Sequence, residues 1–327
     1  MSKKILILGK IPPPIGGVTV HTSRLLNSLE KDGILFKFFK LDFVNLLLFP
    51  FYVINYSCVH VHSSNPLVRL YVMIICKIYG KYGIVTIHGN LNRFKLRIKN
   101  WIDKKTIQIA NKPITLNFSS LELAKKINLH AEIVSSFIPP DESKEYLPQS
   151  NTQFINSMRA KYDIIFCTNA SNLSYDKKGN EIYGITELID FFGNHTQFGL
   201  VFSDPSGAYK NEFEKHNLSI SDNIYIINGS HSFYKVMKLS DASIRNTSTD
   251  GDSISVKESL FLNKRTFTTD VVSRPIGCFI YKKGNLEEIL AHLHQDIEVH
   301  NNKVENGYIR LKEIYRNCSD EKSNSHL

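Results

Sequence analysis

Cysteine is scarce in this chain of 327 residues, and its five cysteines form no recognisable motif. They include no Cys-x-x-Cys pair and no spacing to histidine that is typical of a metal site. An odd number of cysteines, most of them within apolar runs, indicates free thiols buried in a protein of a reducing compartment. This pattern excludes a small disulfide-rich domain and argues against a structural zinc site.

Long hydrophobic runs are also missing. The most apolar stretch, residues 43–61, is interrupted by one proline and two asparagines, whereas a membrane-spanning helix needs about 20 predominantly apolar residues. Near the N-terminus, the apolar run Ile5–Leu8 stops at a Gly-Lys pair, which is typical of a first β-strand and not of a signal peptide. We therefore expect a cytoplasmic protein without a transmembrane helix.

Acidic residues are few in the first half. Residues 1–150 hold 20 Lys and Arg against 9 Asp and Glu, which gives +11; the remaining residues hold 20 against 22, which gives −2. A basic half joined to a near-neutral half indicates that one domain faces an anionic partner, either nucleic acid or an anionic membrane surface. A solvated, lysine-rich surface without any partner is the alternative.

Short apolar runs of β-strand type alternate with longer helical patterns in both halves, which is typical of parallel α/β units. A polar segment punctuated by prolines, at residues 138–152, is the candidate linker. We predict two doubly wound, Rossmann-like α/β domains facing each other across a cleft. They comprise residues 1–145 and 146–300, and residues 301–327 form a C-terminal helix, which can pack back on the first domain, and a loose tail.

Ligands of such sheets bind beyond the carboxyl ends of the strands, and two motifs of the first domain lie there. Gly16 and Gly17 precede a helix, where a ligand can approach the backbone closely and free N–H groups can bind phosphate; a plain Pro-Gly turn is the alternative. His88 ends a strand and can hydrogen-bond a sugar hydroxyl or a carbonyl, although a structural histidine is the alternative. His60 and His62, on another strand, are more typical of core and rim than of metal ligands.

A third motif, in the second domain, runs from the end of a strand through a polar loop into a helix. Its small residues and the N–H groups of the helix start are suited to a diphosphate. Asp250 in the loop and Glu258 in the helix can accept hydrogen bonds from sugar hydroxyls. The alternative is a capping box from Ser255 to Glu258, in which Glu258 only satisfies a backbone donor. The other candidate contacts are Gly251, Asp252, Ser253, Ile254 and Ser255.

This order of motifs resembles the retaining glycosyltransferases of the GT-B fold class, in particular glycosyltransferase family 4, and the resemblance covers essentially the whole chain. The family's glycine loop matches Gly16-Gly17, and its cleft histidine matches His88. Its Glu-x7-Glu motif matches Asp250 and Glu258, with the first Glu replaced by Asp. The similarity is greatest to members from bacterial capsule, O-antigen and exopolysaccharide loci.

The resemblance implies a role for each matched residue. Glu258 would hold the ribose hydroxyls of the nucleotide, and Asp250 with the backbone around Gly251–Ser253 would hold the donor sugar. His88 would contact the sugar from the opposite domain, and the glycine loop would border the diphosphate. Lys178 matches the family's diphosphate-binding lysine, whereas the corresponding arginine has no clear match. We expect no metal ion and no other cofactor.

The expected activity is the transfer of a hexose or N-acetylhexosamine from a nucleotide-diphosphate sugar, preferably a UDP-sugar, to a lipid-linked or growing glycan acceptor. Retention of the anomeric configuration and a role in bacterial surface polysaccharide biosynthesis are implied by the resemblance. Two alternatives stay open: a nucleotide-sugar epimerase on the same scaffold, and a non-catalytic, membrane-associated partner subunit of a glycosyltransferase.

Peripheral association with the inner face of the cytoplasmic membrane is a further expectation. The predicted helical stretch Arg93–Trp101, followed by Lys104-Lys105, interleaves cations with apolar and aromatic residues. Each cation near an anionic membrane contributes about 1 kcal/mol, and Phe43–Tyr56 can dip into the interface. An ordinary amphipathic helix with a solvated basic face is the alternative. Nucleic-acid binding is not expected, because no recognised module accompanies the charge.

Overall fold

The structure divides into two compact units. The computed structural model describes residues 5–176, 178–293 and 304–318. One unit contains the chain up to Pro139 together with the segment from Glu305 onward, and the other contains Pro140–Val304. The change between units comes a few residues before the boundary predicted at residue 145. The boundary predicted at residue 300 lies outside the described residues.

The first unit is built on a sheet of six parallel strands. They are β1 (Ile5–Gly9), β2 (Phe36–Lys40), β3 (Cys58–His62), β4 (Tyr82–Ile87), β5 (Lys112–Thr115) and β6 (Glu132–Ile133). Their order across the sheet is β2-β1-β3-β4-β5-β6. Every residue of β1 and β3 is buried; burial on both faces explains why β1 is a continuous apolar run, whereas β3 carries two buried histidines, His60 and His62. The strand order reverses between β1 and β3, the place where doubly wound sheets bind ligands.

Five helices accompany these strands. They are α1 (Gly17–Lys31), α2 (Phe43–Tyr52), α3 (Pro66–Ile78), α4 (Arg97–Ile109) and α5 (Phe118–Lys125). Phe49 of α2, Val72 of α3 and Ile107 of α4 share one core cluster, whereas Leu25 and Leu29 of α1 belong to another. Within the described part of the chain, no helix combines the length and the apolar character needed to cross a membrane.

The second unit repeats this architecture. Its strands are β7 (Ile164–Asn169), β8 (Phe198–Asp204), β9 (Ile224–Asn228), β10 (Ala242–Arg245), β11 (Arg265–Thr269) and β12 (Cys278–Tyr281). Its helices are α6 (Gln149–Met158), α7 (Ile185–Asn194), α8 (Ala208–Lys215), α9 (Phe233–Leu239), α10 (Ile254–Phe261) and α11 (Glu288–Leu293). The strand order is β12-β11-β10-β7-β8-β9, all parallel. It reverses between β7 and β10, and β10 leads directly into the polar loop before α10.

The segment predicted as a linker over residues 138–152 ends inside α6, so this part of the prediction is wrong. The helix begins at Gln149, and only Ile155 and Met158 among its residues are buried. Because its first turn consists of polar residues, the sequence offered no apolar period from which the start of the helix could be located.

The last helix, α12 (Gly307–Asn317), belongs to the first unit. Its residues Tyr308, Leu311, Ile314 and Tyr315 share a core cluster with Ile5 and Ile7 of β1. A Cβ on Gly307 would lie 1.9 Å from the carbonyl oxygen of Ser135, so the start of the helix touches the backbone after β6. The tail predicted from residue 319 lies outside the described residues.

Replacing Leu311 with alanine should destabilise the first unit, because this side chain is only 1% exposed within the core. We expect a loss of about 2–4 kcal/mol in the free energy of unfolding. Urea unfolding followed by the fluorescence of Trp101, the only tryptophan of the chain, reports on this unit. Ile309→Ala on the same helix is the control, since Ile309 is 60% exposed. Equal effects of the two changes would contradict the packing of α12.

Candidate functional site

The glycine loop of the first unit lies between β1 and α1. Gly16 is the N-cap of α1 and Gly17 is its first residue. The N–H of Gly16 donates to Thr19 Oγ1 at 3.1 Å, and the Thr19 hydroxyl lies 2.7 Å from the carbonyl oxygen of Pro14. A Cβ on Gly9, the last residue of β1, would lie 2.9 Å from Cγ2 of Thr22. Glycine at position 9 therefore allows α1 to pack closely on the strand that carries the loop.

His88 directly follows β4 and belongs to a cluster of four histidines. The others are His21 on α1 and His60 and His62 on β3, all at most 2% exposed, whereas His88 is partly exposed. The Nδ1 of His62 lies 3.0 Å from the Nε2 of His88. Burial lowers the pKa of His60, His62 and His88 well below the ordinary value, and the charge that neighbouring histidines would carry lowers it further. These three imidazoles are therefore neutral at physiological pH.

Arg93 supports the backbone at His88 and is not part of α4, so the helical stretch predicted from Arg93 is wrong at its start. Its Nη1 donates to the carbonyl oxygen of His88 at 3.2 Å, and its Nη2 donates to that of Ser64 at 3.3 Å. The helix begins at Arg97. Arg93 therefore connects the chain after β4 to the chain after β3, and no sequence pattern predicts this role.

Gly89→Ala should disturb this arrangement. Gly89 has a φ of +152°, and a Cβ there would lie 1.9 Å from Nη1 of Arg93. We expect a loss of about 2–3 kcal/mol, which combines the backbone cost with the two hydrogen bonds of Arg93. Gly80→Ala is the control, because Gly80 also has a positive φ (+59°) but no atom lies near its Cβ position; we expect about 1 kcal/mol there. Trp101 fluorescence in a urea titration measures both, and equal losses would contradict the contact with Arg93.

In the second unit, Asp250 lies between two arginines. Arg245 Nε and Arg274 Nη1 approach its Oδ2 at 3.1 Å and 3.0 Å, and the N–H of Gly251 donates to its Oδ1 at 3.1 Å. The side chains of Arg245, Asp250 and Arg274 are 14%, 9% and 3% exposed. Burial alone would raise the pKa of Asp250, but the two arginines hold that pKa below its ordinary value.

The family resemblance implied a sugar-binding role for Asp250 and no role for the two arginines. In the structure, both oxygens of Asp250 accept hydrogen bonds from the chain itself, so Asp250 anchors Arg245 and Arg274. Arg245 ends β10, and Arg274 lies in the segment between β11 and β12. Their distance from Asp250 along the chain follows no helical or strand period, which is why the sequence pattern did not reveal this cluster.

Glu258 lies in the second turn of α10 and is 4% exposed. The N-cap of this helix is Ser253, whose hydroxyl lies 3.5 Å from the N–H of Val256. The capping box proposed as an alternative, from Ser255 to Glu258, is therefore wrong, because Ser255 already lies inside a helix that begins at Ile254. A glutamate is rarely buried to this extent unless it is paired.

The remaining predicted contacts differ in exposure. Lys178 is exposed, in a turn where its N–H donates to Asp176 Oδ1 at 2.7 Å. Asp252, the second acid of the Asp-Gly-Asp sequence, forms a 2.6 Å ion pair with Lys257. Among the residues that the structure describes, no group of three or more His, Cys, Asp or Glu is arranged to hold a metal ion.

Comparison with known proteins shows similarity only at the level of structure. No family model and no curated protein matches the sequence. HepE of Anabaena, solved in complex with UDP and glucose, is 11% identical, with a TM-score of 0.68 over 99% of this chain and 100% of that chain. A glycosyltransferase from Rickettsia africae is 14% identical, with a TM-score of 0.68 over 98% and 99%. The lipopolysaccharide outer core galactosyltransferase WaaB, in its apo form, is 14% identical, with a TM-score of 0.53 over 92% and 90%.

At these identities the comparison establishes the fold. The two six-stranded parallel sheets with flanking helices are the two Rossmann-like domains of the GT-B class. The fold class predicted from the order of motifs is confirmed.

Proposed function

We propose that this chain is a retaining glycosyltransferase that transfers a hexose or N-acetylhexosamine from a UDP-sugar to a lipid-linked or growing glycan acceptor, in bacterial surface polysaccharide biosynthesis. The observation that carries the proposal is the burial of Glu258 in α10. This helix follows β10, one of the two strands between which the strand order of the second sheet reverses. The chain-long similarity to HepE, also solved with UDP-glucose, supports the class of donor.

In this proposal, Glu258 accepts hydrogen bonds from the ribose hydroxyls, since a carboxylate is a stronger acceptor than a neutral group. The backbone of Gly251, Asp252, Ser253, Ile254 and Ser255 approaches the donor sugar and the diphosphate. In the first unit, His88 contacts the sugar, and Gly16 and Gly17 border the diphosphate. Asp250 contributes indirectly, through the two arginines that it orients.

The leaving UDP gains negative charge as the glycosidic bond breaks. The free N–H groups at the start of α10, together with Lys178, supply the electrostatic stabilisation that this charge requires. We propose that transfer needs no divalent metal, because Asp250 and Asp252 are engaged by cations of the chain: Asp250 by two arginines and Asp252 by Lys257.

The variant Glu258→Gln tests this assignment in two measurements, donor binding and sugar transfer. UDP at a hundred times its dissociation constant should stabilise the wild type by about 2.7 kcal/mol, and the variant should lose most of this gain. A charge-assisted hydrogen bond contributes about 1.5–3 kcal/mol, so kcat/KM for transfer to lipid-linked saccharides should fall about 10- to 100-fold. Glu287→Gln is the control, because Glu287 is 68% exposed.

Three results would contradict the proposal. If no nucleotide or nucleotide sugar shifts the unfolding temperature, the donor site is absent. If a UDP-sugar is converted to its epimer without an acceptor, the chain is an epimerase. If donors bind but none is consumed with a broad panel of acceptors, the chain is a non-catalytic partner subunit.

We further propose that the first unit binds the anionic inner face of the cytoplasmic membrane through α2. Phe43, Leu47 and Phe51, spaced by one helical turn each, are 77%, 61% and 71% exposed, and α2 contains no charged residue. Its buried Phe49 packs near Tyr71 of α3, at 6.3 Å between ring centroids. An apolar helix face left open to solvent marks an interaction surface.

The charge near α2 favours an anionic partner. Residues 43–102 contain no Asp or Glu. Lys95, Arg97, Lys99 and Lys104 are exposed beside the exposed Trp101. Lys95 precedes α4, and the other three cations lie on this helix, which packs next to α3 on the same face of the sheet as α2. Insertion of apolar side chains into a membrane and attraction of cations to anionic lipids can therefore act on the same face of the first unit.

Sedimentation with vesicles tests this proposal. We expect binding to vesicles that contain phosphatidylglycerol and little binding to phosphatidylcholine alone. The variant with serine at positions 43, 47 and 51 should bind at least about tenfold more weakly, since each large side chain contributes about 1.5–3 kcal/mol when fully buried. Ile309→Ser is the control, because Ile309 is exposed on α12, on the other face of the sheet. Unchanged binding of the triple variant would contradict the role of α2.

A further inference from the structure

His21, His60, His62 and His88 pack together in the first unit, and a hydrogen bond joins His62 to His88. Ring centroids lie 4.0 Å apart for His60 and His62, and 5.3 Å apart for His62 and His88. The centroid of His21 is also 5.3 Å from that of His88. His62 ends β3 and His88 directly follows the adjacent strand β4, and this brings the two rings together. His88 is the partly exposed ring of the four, so it is the one that a ligand can reach.

The hydrogen bonds of His60 and His62 can be counted atom by atom. His60 uses both nitrogens, with Tyr315 Oη at 2.6 Å and Thr86 Oγ1 at 2.8 Å. His62 uses Nδ1 toward His88, and its buried Nε2 has no hydrogen-bond partner among the described residues. The only proton shared between His62 and His88 therefore lies between His62 Nδ1 and His88 Nε2.

Two neutral imidazoles can share this proton in two ways. In the first, His62 Nδ1–H donates to His88 Nε2, and the unpaired His62 Nε2 is a bare acceptor. In the second, His88 Nε2–H donates, and His62 carries its proton on the buried, unpaired Nε2. The arrangements differ mainly at this buried atom, because His88 is partly exposed and can meet water in both. Buried N–H groups without an acceptor are rarer than under-satisfied acceptors, which favours the first arrangement.

We infer that His62 is a positioning residue that donates to His88 Nε2 and thereby fixes His88 as the tautomer with its proton on Nδ1. His88 then presents an N–H donor to its ligand, which must offer an acceptor oxygen such as a sugar hydroxyl, a carbonyl or a phosphate oxygen. The identity of that ligand as the donor sugar rests on the proposed function; the tautomer does not. Ligating histidines are oriented by the same principle, in which the second nitrogen sets the first.

Nitrogen-15 NMR of the histidine-labelled chain without ligand tests the tautomer directly. The His88 signals are assigned by their loss in His88→Gln. We expect a protonated Nδ1 and an unprotonated Nε2, unchanged between about pH 6 and 8. The groups whose charge acts on His88 are His21, His60, His62, Arg69 and Arg93. A protonated Nε2 on His88 in the wild type would overturn the inference, whether or not the chain is an enzyme.

Variants at position 62 separate positioning from simple packing. Asparagine places an amide donor near the position of Nδ1, so His62→Asn should keep the His88 tautomer and the rate within about threefold. His62→Asp offers only acceptors, so it should move the proton of His88 to Nε2 and raise its pKa. His62→Leu removes the bond, and kcat should fall about 10- to 100-fold, as for other residues that orient a ligating group. His130→Gln, in an exposed turn, is the control.

These outcomes keep the inference apart from the proposed function. If His88 has the expected tautomer but no nucleotide sugar is turned over, only the proposed function fails. If turnover occurs while His62→Leu leaves both the spectrum of His88 and kcat unchanged, the positioning role of His62 fails.

Discussion

Asp250→Ala should lower the free energy of unfolding of the second unit by about 3–5 kcal/mol, because removal of one partner leaves buried charge uncompensated. Here one carboxylate serves two guanidiniums, Arg245 and Arg274, and the latter is 3% exposed. Far-UV circular dichroism in urea follows both units, whereas Trp101 fluorescence follows the first. In the variant, we expect part of the ellipticity to be lost at a lower urea concentration than in the wild type. The change in Trp101 fluorescence should stay at the urea concentration of the wild type.

Two further variants sharpen this measurement. Glu214→Ala removes one partner of the exposed pair with Lys210 and should cost less than about 1 kcal/mol. Arg274→Met added to Asp250→Ala removes one of the two unpaired charges and should recover part of the loss. If Asp250→Ala weakened donor binding without any change in unfolding, Asp250 would be a ligand contact and not an anchor.

The contribution of Asp250 to the free energy of unfolding should depend on pH in a defined direction. Because the folded-state pKa of Asp250 is below its ordinary value of 3.8, its ion pairs contribute their full stability above about pH 4 and lose it as the pH falls through the folded-state pKa. The difference in unfolding free energy between the wild type and Asp250→Asn should therefore shrink in acid. A difference that stayed constant below pH 4 would contradict the ion pairs.

The buried strands were the part of the fold that the sequence predicted best. The strand predicted to carry His60 and His62 is β3, whose residues are all buried, because the apolar residues Cys58, Val59 and Val61 mark a strand that is covered on both faces. Helix α2 was not predicted, since its exposed face is as apolar as its buried one and its sequence has no amphipathic period. Strand β12 was missed for a different reason: it has four residues, of which only Tyr281 is buried.

The candidate site was predictable only where its residues are close in sequence. Ser253 and Ser255 both fit the helix cap before Glu258, and the choice between them depends on where the preceding loop leaves β10. The pairing of His62 with His88 required the knowledge that β3 and β4 are neighbours, with His62 in register with Thr86. The ion pairs of Asp250 with Arg245 and Arg274 depend on the directions of side chains in two loops. No sequence spacing predicts these directions.

Asp103→Ala should have an equally large effect in the first unit. Asp103 of α4 and Arg69 of α3 are 1% and 0% exposed, with Oδ1 2.5 Å from Nη2. The other carboxylate oxygen and Nε of Arg69 are buried without a partner in the described structure, and Nη1 of Arg69 donates to the carbonyl oxygen of Ser63, so the contact between Oδ1 and Nη2 is the direct ion pair between the two charges. We expect a loss of about 3–5 kcal/mol, measured in urea by the fluorescence of Trp101, which lies two residues before Asp103 on the same helix.

The double variant Arg69→Met, Asp103→Leu distinguishes the loss of a pair from the exposure of a single charge. Apolar side chains of similar volume often replace a buried ion pair at little cost, so the double variant should be far more stable than Asp103→Ala. The positive charge of Arg69 also lowers the pKa of His88, and its removal should bring that pKa closer to its ordinary value. A double variant as unstable as the single one would mean that the pair determines how α3 packs on α4, and not only that its two charges compensate each other.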